Sequence, residues 1–188
     1  MPTRILGIDP GLSSSGWCFI DFNKKKLEKI DNPGETTLFD GEYKPELIDY
    51  GIIETDKNNR NSDRVFKHYV EIDKLVKFYD PDLVAIEDQY SSLNASTLKK
   101  LSHVRGVFMN LASQYNLDCY LYYPSSVKKI ASGKGNASKE DMVKNINEYY
   151  GLDLSLGEKR GENMEDDIAD AISVALSYII NKDKSTKI

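Results

Sequence analysis

Four acidic residues of this 188-residue chain lie at positions from which their side chains can meet in one site. Asp9 ends a short apolar run near the N-terminus, and Glu87 ends a second, continuous apolar run. Asp167 and Asp170 are three residues apart near the start of a helical pattern, so they share one helix face. Because ligands collect at the carboxyl ends of strands in open α/β sheets, we expect these four carboxylates to converge.

Converging carboxylates repel one another unless a proton or a cation lies between them, so the cluster predicts a divalent metal site. Ligand sets made only of oxygen suit Mg²⁺, with Mn²⁺ as a substitute, better than Zn²⁺. Two such ions about 4 Å apart can hold an in-line displacement at phosphorus, where one activates water and the other stabilises the leaving oxygen. Taken singly, each acid also has a structural explanation, as a turn residue, a strand end or a helix cap.

The hydrophobic pattern around these acids predicts an α/β fold. Strands are predicted at residues 5–9, 16–22, 50–55, 83–86 and 118–122. Helices are predicted from the N-caps Asp63 and Ser138, from about Asn94 and from about Glu165, with a short helical turn after Pro124. The first strands form a meander and the later ones alternate with helices. This order favours a mixed five-stranded sheet with helices on both faces.

Length and composition favour a single globular domain. We expect it to span residues 1–182, with an arm inserted at about 23–49 and a polar C-terminal tail at 183–188. The sequence shows no signal-peptide core and no apolar run long enough to cross a bilayer, so we expect a cytoplasmic protein with no membrane partner. Cys18 and Cys119 lie in apolar stretches and are predicted to be buried, reduced thiols.

The charge distribution indicates one basic face on an acidic protein. The whole chain carries a formal charge of −5, whereas residues 94–144 contain eight lysine and arginine residues against three acidic ones. A locally basic segment of this kind is compatible with binding to a polyanion, and equally with an ordinary solvated surface.

Four motifs together resemble, in order and spacing, those of the RuvC Holliday-junction resolvases. They are Ile5-Leu6-Gly7-Ile8-Asp9-Pro10-Gly11, Val84-Ala85-Ile86-Glu87, the segment Lys128–Lys139 around Gly133-Lys134-Gly135, and Asp167-Ile168-Ala169-Asp170-Ala171. The resemblance extends from about Arg4 to about Tyr178. It implies an RNase H-like fold and a metal-dependent endonuclease that resolves four-way junctions by paired nicks, leaving 5′-phosphate and 3′-hydroxyl ends.

The resemblance also assigns roles to individual residues. Asp9, Glu87, Asp167 and Asp170 correspond to the family's four metal-binding catalytic acids. Tyr90 matches an aromatic residue near the junction centre, where stacking on an unpaired base is a sensible role. The remaining implied DNA contacts are Lys128, Lys134 and Lys139. Asp166 has no clear counterpart in the family, so the choice between it and Asp167 as a ligand stays open.

Paired nicks on a four-way junction require two active sites, which predicts a homodimer with two-fold symmetry. The surface of the helix at about 94–112 is a candidate for part of that interface.

Three other functions stay open on the sequence. One is a nuclease of broader specificity for flaps and branched DNA, and another is a non-catalytic junction-binding module. The third is an ATPase of the actin-like fold, because the residues from Gly7 to Gly16 also resemble the first phosphate loop of such enzymes. The chain length argues against an ATPase, since those proteins clamp nucleotide between two domains of this kind. The long arm and the acidic charge depart from the resolvase pattern and leave the substrate range open.

Overall fold

A computed structural model describes residues 1–23, 25, 43–88, 94–156, 165–181 and 185–188. Its centre is a mixed sheet with the strand order β3-β2-β1-β4-β5-β6. The strands are β1 (Thr3–Asp9), β2 (Ser14–Phe22), β3 (Glu46–Glu54), β4 (Leu83–Glu87), β5 (Asp118–Tyr122) and β6 (Thr186–Lys187). The first three pair antiparallel, β1, β4 and β5 run parallel, and β6 returns antiparallel to β5.

Helices cover both faces of this sheet, as predicted. They are α1 (Asn61–Tyr79), α2 (Ala95–Gln114), α3 (Pro124–Ser132), α4 (Lys139–Tyr150) and α5 (Glu165–Asn181). On one face α5 lies across β1 and β2 and is flanked by α3 and α4, and these elements share one hydrophobic core. On the other face α1 and α2 pack together over a second core. The α/β class and its mixed sheet are therefore confirmed.

The predicted number of five strands is wrong, because the described residues form six. The sixth, Thr186–Lys187, lies in the segment expected to be a polar tail and pairs with Leu121 and Tyr120 of β5. The side chain of Lys187 also forms an ion pair with Asp118, 2.8 Å away. A two-residue strand has no periodicity for a sequence pattern to show, so only the pairing with β5 reveals it.

Several predicted boundaries also differ from the structure. β3 begins at Glu46, inside the expected arm, because its first residues pair with the end of β2 beyond an irregularity at Phe19 and Ile20. The expected helical turn after Pro124 is a nine-residue helix. Asp63 is not the cap of α1: it lies in the first turn and pairs with Arg60 at 2.9 Å. Residues 24 and 26–42 of the predicted arm lie outside the described residues.

Other predictions are confirmed. Ser138 caps α4 through a reciprocal capping box with Asp141, which satisfies two backbone N–H groups at the helix start. Cys18 and Cys119 are both buried and free. Among the described residues, no helix combines the length and the hydropathy needed to span a bilayer.

Candidate active site

The parallel pairing of β1 and β4 brings the first two acids together. Ile8 lies opposite Ile86 in this ladder, so Asp9 and Glu87 each follow the last paired residue of adjacent strands. The Asp9 side chain lies close enough to lower the pKa of Glu87, against the larger effect of burial, which raises it. Both remain partly open to solvent at the strand ends. The predicted convergence of these two residues is therefore present.

Two glycines allow α5 to deliver the other two acids. A Cβ atom on Gly16 would lie 1.9 Å from the carbonyl oxygen of Asp167, and one on Gly7 would lie 2.5 Å from that of Ala171. Any larger residue at either position would push the helix away from the sheet. The backbone of α5 therefore lies directly on β1 and β2, with its acidic first turn over the ends of these strands.

Electrostatic coupling shows that the four carboxylates form one cluster. Burial raises the pKa of Asp9 well above its ordinary value, and the charges of Glu87, Asp170 and Asp167 raise it further. Burial, and then Asp170, raises the pKa of Glu87 to about 8. Burial is also the first cause of the raised pKa values of Asp167, to about 7, and Asp170, to about 6. Four acids that resist ionisation together form a site that a cation would stabilise.

Two lysines oppose this repulsion. Lys139, the first residue of α4, pairs with Asp166 and lies 4.0 Å from the carboxylate of Asp170. Its charge lowers the pKa of Asp9 and of Glu87. Lys128 of α3 acts in the same direction on Glu87 and Asp170. The predicted DNA-binding residues Lys128 and Lys139 thus lie beside the acids.

The other two predicted DNA contacts are Lys134 and Tyr90. Lys134 lies in the loop between α3 and α4, where its side chain is exposed. The carbonyl of Lys134 accepts a hydrogen bond from Ala137, which helps to close this loop. Tyr90 lies outside the described residues, so its predicted stacking role stays a prediction.

The acids have protein partners instead of a ready-made coordination shell. Among the described residues, no three carboxylate, imidazole or thiolate groups are already arranged to hold a metal ion. The Ser14 hydroxyl donates to Asp167, and Asp166 holds Lys139. The donor set still fits a hard divalent cation, because it offers only oxygen and its raised pKa values mark unrelieved negative charge.

A polar network that the sequence interpretation missed holds the loop between β1 and β2. The guanidinium of Arg64, only 8% exposed, donates to Ser13 Oγ at 3.0 Å and to Thr55 Oγ1 at 2.9 Å. The fully buried His68 donates from Nε2 to the Leu12 carbonyl at 3.2 Å. Arg64 and His68 are two polar residues four apart on an otherwise apolar helix face, which is the signal in the sequence that indicates this network.

A mixed sheet with carboxylates at the ends of β1 and β4 and on a crossing helix is the arrangement of an RNase H-like fold. Solved structures agree with this fold. Thermus thermophilus RuvC in complex with a Holliday junction substrate superposes with a TM-score of 0.74 at 20% identity, over 99% of both chains. The yeast mitochondrial Holliday junction resolvase Ydc2 gives a TM-score of 0.57 at 16% identity, over 94% of this chain and 79% of that one.

Sequence comparisons identify the family. The family model of crossover junction endodeoxyribonuclease RuvC matches residues 32–178. The protein of that name from Brachyspira hyodysenteriae is 32% identical over 173 residues, 92% of this chain and 91% of the relative. The one from Caldicellulosiruptor saccharolyticus is 33% identical over 178 residues, 95% and 93% of the two chains. The chain belongs to the RuvC family.

Proposed function

We propose that this protein resolves four-way DNA junctions by metal-dependent hydrolysis, with Asp9, Glu87, Asp167 and Asp170 as the ligands of Mg²⁺. Membership of the RuvC family makes it a crossover junction endodeoxyribonuclease. The observation that carries the residue assignment is geometric: Asp9 and Glu87 end adjacent parallel strands, and the first turn of α5, with Asp167 and Asp170, packs against the same edge of the sheet. Chromosomal or phage DNA in the cytoplasm is the substrate that we propose.

Two Mg²⁺ ions, for which Mn²⁺ can substitute, would activate the attacking water and stabilise the leaving 3′ oxygen, so that the products carry 5′-phosphate and 3′-hydroxyl ends. The chain's own acids would bind these ions, and Asp9 and Glu87 would release the protons that they hold at neutral pH. No nucleophilic side chain is needed. The fixed backbones of β1, β4 and α5 keep the carboxylates in place while DNA enters.

We propose that Lys128 and Lys139 offset the negative charge of this site as a phosphodiester approaches. Four carboxylates facing DNA would repel its phosphates, and both ammonium groups already act on the acids. Lys134, exposed in the adjacent loop, would contact the DNA backbone farther out. Tyr90 would stack on an opened base at the branch point.

We propose a homodimer that uses α2 in its interface. Gly106 lies in the interior of this helix and is exposed, and within the described part of the chain an added Cβ would meet no atom within 4 Å. A helix-interior glycine costs about 1 kcal/mol relative to alanine, and no contact among the described residues requires a glycine at this position. Close approach of a second copy would supply that reason.

The direct test is cleavage of labelled four-way junctions, flaps and linear duplex with Mg²⁺, with Mn²⁺ and with EDTA, followed by mapping of the nicks. We expect paired nicks on the junction that require the metal. Asp9→Asn and Asp170→Asn should reduce the rate by several orders of magnitude and preserve or tighten junction binding. Asp153→Asn, an exposed acid beyond the far end of α4, is the matched control.

Two results would contradict the proposal. Near-normal metal-dependent cutting by a folded Asp9→Asn protein would remove the assigned ligand set. Faster cutting of flaps than of four-way junctions would favour the broader branched-DNA nuclease.

A further inference from the structure

The face of β2 that meets α5 is built from small side chains. Ser14, Gly16 and Cys18 alternate along the strand and therefore point to the same face. Gly16 lies in contact with the Asp167 backbone, and the Cys18 thiol donates to the Ala171 carbonyl at 3.4 Å. Ser14 is thus the side chain that β2 presents to the first turn of α5.

The Ser14 hydroxyl donates a hydrogen bond to Oδ2 of Asp167. Ser14 is only 5% exposed, so water cannot easily replace this donor if it is removed. The bond occupies one carboxylate oxygen and restricts the rotation of the group. Within the described part of the chain, the other oxygen, Oδ1, accepts no hydrogen bond and is available to bind an ion.

The segment that leads into Ser14 is itself anchored. The carbonyl of Ser13 accepts a hydrogen bond from the backbone N–H of Thr55 at 2.8 Å, and its hydroxyl accepts one from Arg64. The hydroxyl of Ser15 bonds both backbone groups of Gly11, at 3.1 and 3.0 Å. Contacts on both sides of Ser14 therefore restrict where its hydroxyl can point.

We propose that Ser14 is a positioning residue that orients Asp167 for metal binding. This inference rests on the proposed function, in which Asp167 is a ligand. The adjacent Asp166 has a different partner, because it holds Lys139. The two neighbouring acids therefore differ in their partners. Only the carboxylate of Asp167 is oriented by a hydrogen bond from the sheet, through Ser14 of β2.

The test measures Mn²⁺ affinity of the DNA-free protein from the electron paramagnetic resonance signal of the free ion. Removing a hydrogen-bond partner of a metal ligand typically costs 10–100-fold in metal affinity, so Ser14→Ala should weaken Mn²⁺ binding by about tenfold or more. Ser14→Thr keeps the hydroxyl and should restore affinity. Cleavage by Ser14→Ala should recover as Mg²⁺ is raised, because the defect lies in binding the ion.

Ser177→Ala is the matched control. Ser177 lies on α5, the helix that carries Asp167, and its buried hydroxyl donates to the Ser173 carbonyl at 2.8 Å. This substitution should lower stability without changing Mn²⁺ affinity. If circular dichroism shows that Ser14→Ala does not fold, Ser14→Cys replaces it, because a thiol is a weak donor of similar size.

A double-mutant cycle with Asp167→Asn tests separately whether Ser14 orients Asp167 and whether Asp167 is a metal ligand. If Ser14 acts through Asp167, adding Ser14→Ala to Asp167→Asn causes no further loss of Mn²⁺ affinity. Unchanged affinity in Ser14→Ala, together with a loss in Asp167→Asn, would overturn the role of Ser14 and leave the proposed function intact. Unchanged affinity in Asp167→Asn would instead remove Asp167 from the ligand set.

Discussion

Replacing Glu87 by Gln should stabilise the metal-free protein at slightly alkaline pH. Burial, and then the charge of Asp170, raises the pKa of Glu87 from an ordinary 4.5 to about 8. In the unfolded chain this carboxyl group is ionised above about pH 4.5, whereas in the folded protein it holds its proton up to about pH 8. The folded state binds more protons in this window, so the free energy of unfolding falls as pH rises through it.

Between pH 6.5 and pH 8, the raised pKa of Glu87 should lower the free energy of unfolding by an amount that follows from proton linkage. The pKa of the buried His68 is lowered by desolvation, so its effect has the opposite sign and ends near the ordinary value of 6.5. Above that pH, the proton retained by Glu87 alone costs about 1.4 kcal/mol of stability for each pH unit, or about 2 kcal/mol over the window, and the raised pKa of Asp9 adds a cost of the same sign. For a domain of this size this corresponds to a fall of about 4–8 °C in Tm.

Urea unfolding in EDTA at several pH values between 6.5 and 8 measures this slope. Glu87→Gln should be more stable than the wild type at pH 8 and should show a shallower slope. The exposed Glu148 of α4, 3.9 Å from Lys144, supplies the control Glu148→Gln, which should keep the wild-type slope. A wild-type stability that is flat or rising across this window in EDTA would refute the electrostatic reasoning.

Four further predictions concern the dimer, the DNA contacts and the second acid of α5. Gly106→Trp should keep the fold, because an added Cβ would meet no atom of the described residues within 4 Å, and should shift sedimentation velocity profiles towards monomer. Lys134→Ala should weaken junction binding and reduce the slope of log K against log salt by about 0.9, as loss of one phosphate contact requires. Tyr90→Ala should slow junction cleavage more than it weakens binding to linear duplex. Asp166→Asn should release Lys139 and slow cleavage. Mn²⁺ affinity should stay within about threefold of the wild type, because the proposed ligand is Asp167 and not Asp166.

Much of the arrangement of the candidate site was predictable from the chain itself. Asp9 and Glu87 end apolar runs, and parallel strands align their carboxyl ends at one edge of a sheet. Asp167 and Asp170 share a helix face because of their spacing. Local periodicity also predicted most helices and the capping box at Ser138, since these features depend on residues close in sequence.

Contacts between distant residues decided the rest. No local pattern links Ser14 to Asp167, which are 153 residues apart, or Arg64 to Ser13 across 51 residues. The adjacent Asp166 and Asp167 are chemically equivalent in the sequence, and they differ only because α4 brings Lys139 to one and β2 brings a hydroxyl to the other. Sequence patterns determine which side chains an element carries and which face they share. The identity of each partner depends on how the elements pack, because hydrogen bonds act only between groups that the fold brings to about 3 Å of each other.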